Sequence, residues 1–283
     1  MKIFERSGLS ILVMLIMATL VFAPTANAQG NSSQKELITE SGQKIGFGKP
    51  KVNSNDVTTK IVKSKSNNVN LENIIQNSKE REVLKQTITV QESSKDITVE
   101  VPFKFDNREY LVLIRDEEGN LDGTGNIYNK NHKSIGVFSA KIVDNKQNVK
   151  INQKVKENDV LEFNIEPSGS TESITLEVTA QATYYSDYFY DFNWISLSGG
   201  KTLSLYATSY LRTLGWESAS IRTDAWDKLY AVHGSSQYWY NTGGMSDQFY
   251  CHVDFAKNKT PWNLDPWRPN VSYWATVNAQ CNP

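Results

Sequence analysis

The sequence predicts a mainly β protein in three parts: an N-terminal signal with a flexible spacer, a central antiparallel β-sandwich, and a small C-terminal α+β domain closed by one disulfide. Three observations carry this expectation. Between Thr87 and Ala182, β-branched residues recur with a period of two between turn clusters. From Tyr184 onward the composition changes: all 7 tryptophans lie there, as do all of the 13 tyrosines except Tyr110 and Tyr128. Both cysteines, Cys251 and Cys281, also fall in this last part.

Residues 1–28 have the three zones of a signal peptide. Lys2 and Arg6 supply the positive end, Ile11 to Ala23 the apolar core, and Ala26-Asn27-Ala28 a small-residue cleavage site. The alternative is an uncleaved anchor, but the apolar run is short against the about 20 residues that a spanning helix needs. The residue directly after the cleavage site is Gln29 and not cysteine, so a lipoprotein route has no support, and no second apolar run of spanning length occurs. The expected product is secreted, extracellular or associated with the cell envelope, with no transmembrane anchor after cleavage. Its 283 residues, 39% hydrophobic and 22% charged, suffice for one or two domains with their own cores. A formal net charge of −1 and the lack of a long basic patch argue against nucleic acid as a partner.

Residues 29–82 are rich in Ser, Asn, Gln and Lys, with Phe47 the one aromatic, and read as a flexible spacer or envelope tether. A short helix is expected at Asn70–Ile75, with Leu71, Ile74 and Ile75 on one face. Strands of the sandwich (83–182) are expected at Thr87–Val90, Ile97–Val101, Tyr110–Arg115, Ile135–Val143, Val149–Ile151, Val160–Ile165 and Ile174–Val178. Asp116, Glu117, Glu118, Asn120 and Asp122 carry oxygen ligands of the kind calcium takes, but their spacing is not that of an EF-hand loop. A solvated acidic turn is the simpler reading, and no metal or cofactor is expected anywhere in the chain. His132 falls in a polar turn.

In the C-terminal domain (184–283), Gly199-Gly200 marks a hairpin turn followed by a strand over Thr202–Tyr206. A helix capped by Thr223 or Asp224 and ended by Gly234 places Trp226, Leu229, Tyr230 and His233 on one face. His233 reads as a partly buried capping residue whose protonated form suits the helix dipole.

The densest chemistry lies in Met245–Arg268. Cys251 and Cys281, 30 residues apart in an exported chain, favour a disulfide over two free thiols. Read as a strand, Cys251–Asp254 puts His252 and Asp254 on one face, with Asp247 near them. An imidazole beside a carboxylate makes a general base, so these three residues are the catalytic candidates; the alternative is a polar pair that holds a loop. No zinc-binding spacing and no Gly-x-Ser-x-Gly elbow occurs. Lys259, Trp262, Trp267 and Arg268, in a loop stiffened by Pro261, Pro266 and Pro269, are the binding candidates. Exposed aromatic faces there suit sugar rings; otherwise they are core.

Gly244-Met245-x-Asp247-Gln248-x-x-Cys251-His252, then Lys259-x-x-Trp262-Asn263-Leu264-x-Pro266-x-Arg268-Pro269 and the late Cys281, resembles the exported bacterial family known only as domain of unknown function 2599. The family pattern has Glu where this chain has Asp265. The resemblance covers about 184–283 and implies secretion and a disulfide-stapled domain; it implies no activity and no catalytic residues. Two function classes follow. One is a binding module acting on envelope glycan or another surface protein. The other is a secreted hydrolase or toxin-like enzyme using His252, Asp254 and Asp247.

Overall fold

The computed structural model describes residues 35–66, 81–93, 96–116, 119–143, 149–167 and 171–283. The expected signal peptide, the helix at Asn70–Ile75, and Glu117 and Glu118 lie outside the described residues.

Antiparallel strands form two sheets that face one another. The first takes β1 (Glu36–Ile38), β2 (Lys44–Phe47), β6 (Ile97–Phe105), β11 (Val160–Pro167) and β10 (Val149–Lys156) in that order, with β3 (Lys51–Val52) also on β6. The second runs β4 (Val57–Ser66), β5 (Arg81–Ser93), β12 (Thr171–Ala182), β9 (Ser134–Val143), β8 (Leu121–Tyr128) and β7 (Tyr110–Arg115). Alternation explains the packing. In β6, Ile97, Val99, Val101 and Phe103 point inward, and in β11 so do Leu161, Phe163 and Ile165, while residues between them face out. The outer face of the first sheet carries exposed Lys–Glu pairs such as Lys154–Glu162 at 2.8 Å, each worth little in stability.

All seven strands expected from the β pattern form. The expected spacer does not extend over 35–66, where β1–β4 build into the sandwich. Leu37, Ile45 and Phe47 are buried in its core. A strand added to an existing sheet needs apolar residues on one face only, so a few anchors suffice in a polar sequence. β4, at the edge, carries Lys60, Lys63 and Lys65, a lysine-rich border that discourages edge-to-edge pairing. β8 was hidden by its glycines. A Cβ at Gly125 would lie 2.3 Å from the Phe138 ring, so glycine there admits the neighbouring strand's side chain.

The C-terminal region has a three-stranded sheet, β13 (Phe189–Leu197), β14 (Gly200–Ala207) and β15 (Trp262–Leu264), and five helices: α1 (Tyr185–Tyr188), α2 (Ser209–Leu214), α3 (Ala219–His233), α4 (Thr242–Phe255) and α5 (Tyr273–Asn278). The β13–β14 hairpin turns where Gly199-Gly200 predicts it, with Leu197 opposite Gly200. Helix α3 ends before Gly234 as expected but starts about one and a half turns earlier than a cap at Thr223 or Asp224 would give. It is capped by Ser218, whose side chain accepts from the Ile221 N–H. A second core, around Phe189, Leu203, Leu205, Phe249 and Trp262, fills this region. Cys251 and Cys281 form the disulfide, with Cα atoms 5.5 Å apart.

The described residues fall in one compact unit, with α3 lying against β7, β8 and β9. This explains why Ser134 to Phe138 in β9 are buried without alternation: one face meets the first sheet, the other the helix. The seam is polar. Asp224 accepts from Tyr188 Oη at 2.5 Å and from Ser134 Oγ. Lys228 Nζ donates to the Ser134 carbonyl at 2.5 Å, and Tyr128 Oη donates to Asp227 at 2.7 Å. Arg81 of β5 lies 3.8 Å from the centroid of the Tyr210 ring.

Candidate functional site

Residues 242–255 form a helix, which changes the geometry of the catalytic candidates. Asn241 caps it, its side-chain oxygen accepting from Gly244 N–H at 3.2 Å. Met245, Gln248, Phe249 and His252 then recur at helical spacing and are buried. The expected strand over Cys251–Asp254 is overturned, and with it the shared face: residues two apart on a helix project about 200° from one another. The 3.6-residue period was obscured because two of its buried members, Gln248 and His252, are polar.

His252 faces the core. Its Nε2–H donates to the Asn263 carbonyl at 3.2 Å, and its ring stacks parallel to Trp262, with centroids 5.9 Å apart. Burial, the leading cause, lowers its pKa to about 4, so the imidazole is neutral near pH 7. Asp254 lies on the other side of α4, 3.2 Å from Arg222 Nη1, and accepts from Tyr273 Oη at 2.5 Å. The three catalytic candidates therefore do not converge: Asp247 and Asp254 line open space, and His252 does not.

The binding candidates form a structural knot. Trp262 is fully buried in the core, contrary to its expected place on a binding rim. Trp267 covers the Gly199-Gly200 turn so closely that a Cβ at Gly199 would lie 2.4 Å from its ring. Arg268 stacks on Trp267 at 4.6 Å and donates from Nε to Asp265 at 2.6 Å. Its Nη1 donates to the carbonyls of Asn282 and Pro283. Lys259 is exposed, and its backbone carbonyl accepts from Arg212 Nη1 at 2.7 Å. Gln248 completes the knot by bonding both the N–H and the carbonyl of Asp265. His233 is neutral as well: it bonds Tyr185 Oη at 2.9 Å, and burial lowers its pKa to about 4, so the expected protonated cap is not formed near pH 7.

A different set of side chains meets where the sandwich abuts the helices. A cavity of about 500 Å³ opens between the end of β7 (Arg115, Asp116), the first turn of α3 (Ala219, Arg222, Thr223), α4 (Asp247, Tyr250) and α5 (Tyr273, Trp274). A second, of about 390 Å³, shares Asp116, Ala219 and Arg222 with it and adds Asp122, Trp216, Glu217, Asp254 and Phe255. Together they make one cleft. Asp247, Tyr250 and Asp254, at i, i+3 and i+7, are the face of α4 turned to it. Trp216, Phe255 and Trp274 are exposed at its rim, at 49%, 60% and 61%. Desolvation raises the Asp247 pKa, and burial raises that of Tyr250 to about 12. Asp116 closes its own turn, accepting from the Asn120 N–H at 2.7 Å. Among the described residues, no three His, Cys, Asp or Glu side chains converge as a metal site. Sequence reasoning missed Arg115, Arg222, Tyr250 and Trp274; the helical spacing of Asp247, Tyr250 and Asp254 was the one available signal.

The architecture is thus a two-sheet sandwich carrying a disulfide-stapled, aromatic-cored helical layer, with the open cleft at their junction. Residues 190–283 match the family model described as "Protein of unknown function (DUF2599)", in agreement with the resemblance in the motif. Uncharacterized proteins of Mycobacterium bovis and Mycobacterium tuberculosis are 30% identical to this chain over 95 residues, a stretch covering 32% of this chain and 62% of each relative. The chain therefore spans less than two thirds of the length of these relatives.

Proposed function

We propose that the protein is exported and acts as a binding module, with the cleft between sandwich and helices taking a glycan of the cell envelope. The observation that carries this reading is the rim of exposed Trp216, Phe255 and Trp274 around cavities of about 500 and 390 Å³, within the usual range of ligand sites. Flat aromatic faces beside carboxylates and an arginine offer what a sugar needs: apolar ring faces to stack on, and hydrogen-bonding groups at the ring edge. Export is supported by the three-zone N-terminus and by the disulfide. The test is titration calorimetry of the mature chain with soluble envelope polysaccharide. Trp274→Ala is expected to weaken binding by about tenfold, the scale of one lost stacking contact. Equal affinity of variant and wild type would place the ligand elsewhere.

A hydrolase reading has one specific observation in its favour. Asp247 and Asp254 share a face of α4 two turns apart, in unlike environments: Asp247 is raised by desolvation, and Asp254 sits against Arg222. In that reading Asp247 donates a proton and His252 serves only the fold. Turnover of cell-wall, glycan or lipid substrates that is lost in Asp247→Asn but kept in His252→Gln supports it; no turnover by any form ends it.

A further inference from the structure

We propose that the cleft selects a cationic ligand, a glycan whose sugars bear free amino groups, over its neutral N-acetylated counterpart. This rests on the glycan reading above and adds the charge of the ligand.

The cleft is acidic in a chain that is nearly neutral overall. Among the described residues its smaller half presents Asp116, Asp122, Glu217 and Asp254 against two cations, Arg222, ion-paired with Asp254 at 3.2 Å, and Lys257, which lies on the Trp216 ring. In the larger half, Arg115 donates from Nη1 to the Gly119 carbonyl at 2.6 Å. Glu217 and Asp247 have no hydrogen-bond or ion-pair partner among the described residues. A neutral amide offers such carboxylates one weak donor, whereas an ammonium offers three donors and a charge.

The aromatic rim fits the same ligand. Rings on this side already hold cations of the protein itself: Lys257 Nζ lies 4.1 Å from the Trp216 centroid, and Arg222 lies 5.8 Å from that of Tyr250. Trp274 and Phe255 are exposed and hold none among the described residues. A ring face beside unpaired carboxylates attracts an ammonium through its quadrupole. Among the described residues the carboxylates are spread along the cleft, with no three converging as a metal site, and that spread suits several amines spaced along an oligomer.

The experiment titrates the mature chain at pH 6 with the glucosamine tetramer, the N-acetylglucosamine tetramer and a lysine tetrapeptide. Wild type is compared with Glu217→Gln and Asp247→Asn, and thermal melts check that each variant is folded. The expected result is that the glucosamine tetramer binds about tenfold tighter than the acetylated one, with rising salt weakening the difference. Each variant brings the two affinities closer. Equal binding of both oligomers, unmoved by the variants, overturns the charge selection and leaves the glycan reading standing. Binding of neither oligomer overturns the glycan reading itself. A lysine tetrapeptide that binds as tightly as the glucosamine tetramer overturns the glycan as the source of the charge and assigns the cleft to a basic peptide.

Discussion

His252 illustrates how one side chain changes meaning with its backbone. Beside Asp254 in sequence, it suggests a general base; on α4, it is a neutral core residue stacked on Trp262. The consequence is a measurable pH dependence. Its pKa is about 4 in the folded chain against the ordinary imidazole value of 6.5, so the unfolded state binds the proton first. The stability it contributes is complete above pH 6.5 and is lost as pH falls toward 4, a shift on the order of 3 kcal/mol. His252→Gln keeps a donor for the Asn263 carbonyl and does not titrate. Urea unfolding at pH 7 and pH 4 is expected to show the variant gaining on wild type by that order between the two pH values. A constant difference would mean that His252 is not buried neutral.

At the scale of elements, α4, β15 and the segment around Cys281 hold one another, and the motif residues are the fasteners. Gln248 binds the backbone of Asp265, Arg268 joins Asp265 to the carbonyls of Asn282 and Pro283, and the disulfide closes the loop. The motif therefore describes how the domain is held, while the cleft residues Arg222 and Trp274 stand outside it. Replacing both cysteines by serine is expected to cost about 3–4 kcal/mol, since closing a loop of this length restricts the unfolded chain. Urea titration of the double variant gives the loss. Mass spectrometry of the protein without reductant shows the bond directly, as a mass two hydrogens below that of the dithiol. The structure also explains why β1–β4 escaped notice: their few apolar residues borrow a core built by later strands.

For the molecule as a whole, the seam between sandwich and helices decides both rigidity and site. Its buried groups are polar, so the two layers are joined by hydrogen bonds that each side must complete. Asp227, which accepts from Tyr128 of the sandwich, has its pKa raised to about 6 from 3.8, chiefly by desolvation. Here the sign is opposite to that of His252. The folded state binds the proton more readily, so stability falls as pH rises from 4 to 6, by on the order of 3 kcal/mol. Asp227→Asn preserves an acceptor for Tyr128 without the charge. It is expected to raise the melting temperature at pH 7.5 and to leave it unchanged near pH 3.5, where both forms are neutral. A variant that melts lower at pH 7.5 would show that the ionised carboxylate strengthens the seam.

What the sequence determined by itself was local and periodic. The alternation of Ile97–Val101 and Val160–Ile165, the Gly199-Gly200 turn, the stop at Gly234 and the Cys251–Cys281 pair all follow from short-range geometry or from a pairing with few alternatives. The tertiary structure alone decided which polar residues are core and which are site. Gln248 and His252 have the composition of an active site and the burial of a core, because Asp265 and Asn263 supply their partners from across the fold. The cleft joins Asp116, Arg222, Asp247 and Trp274, drawn from four separate stretches of chain. No spacing in the sequence encodes that meeting, because it exists only once α3 has docked on β7, β8 and β9.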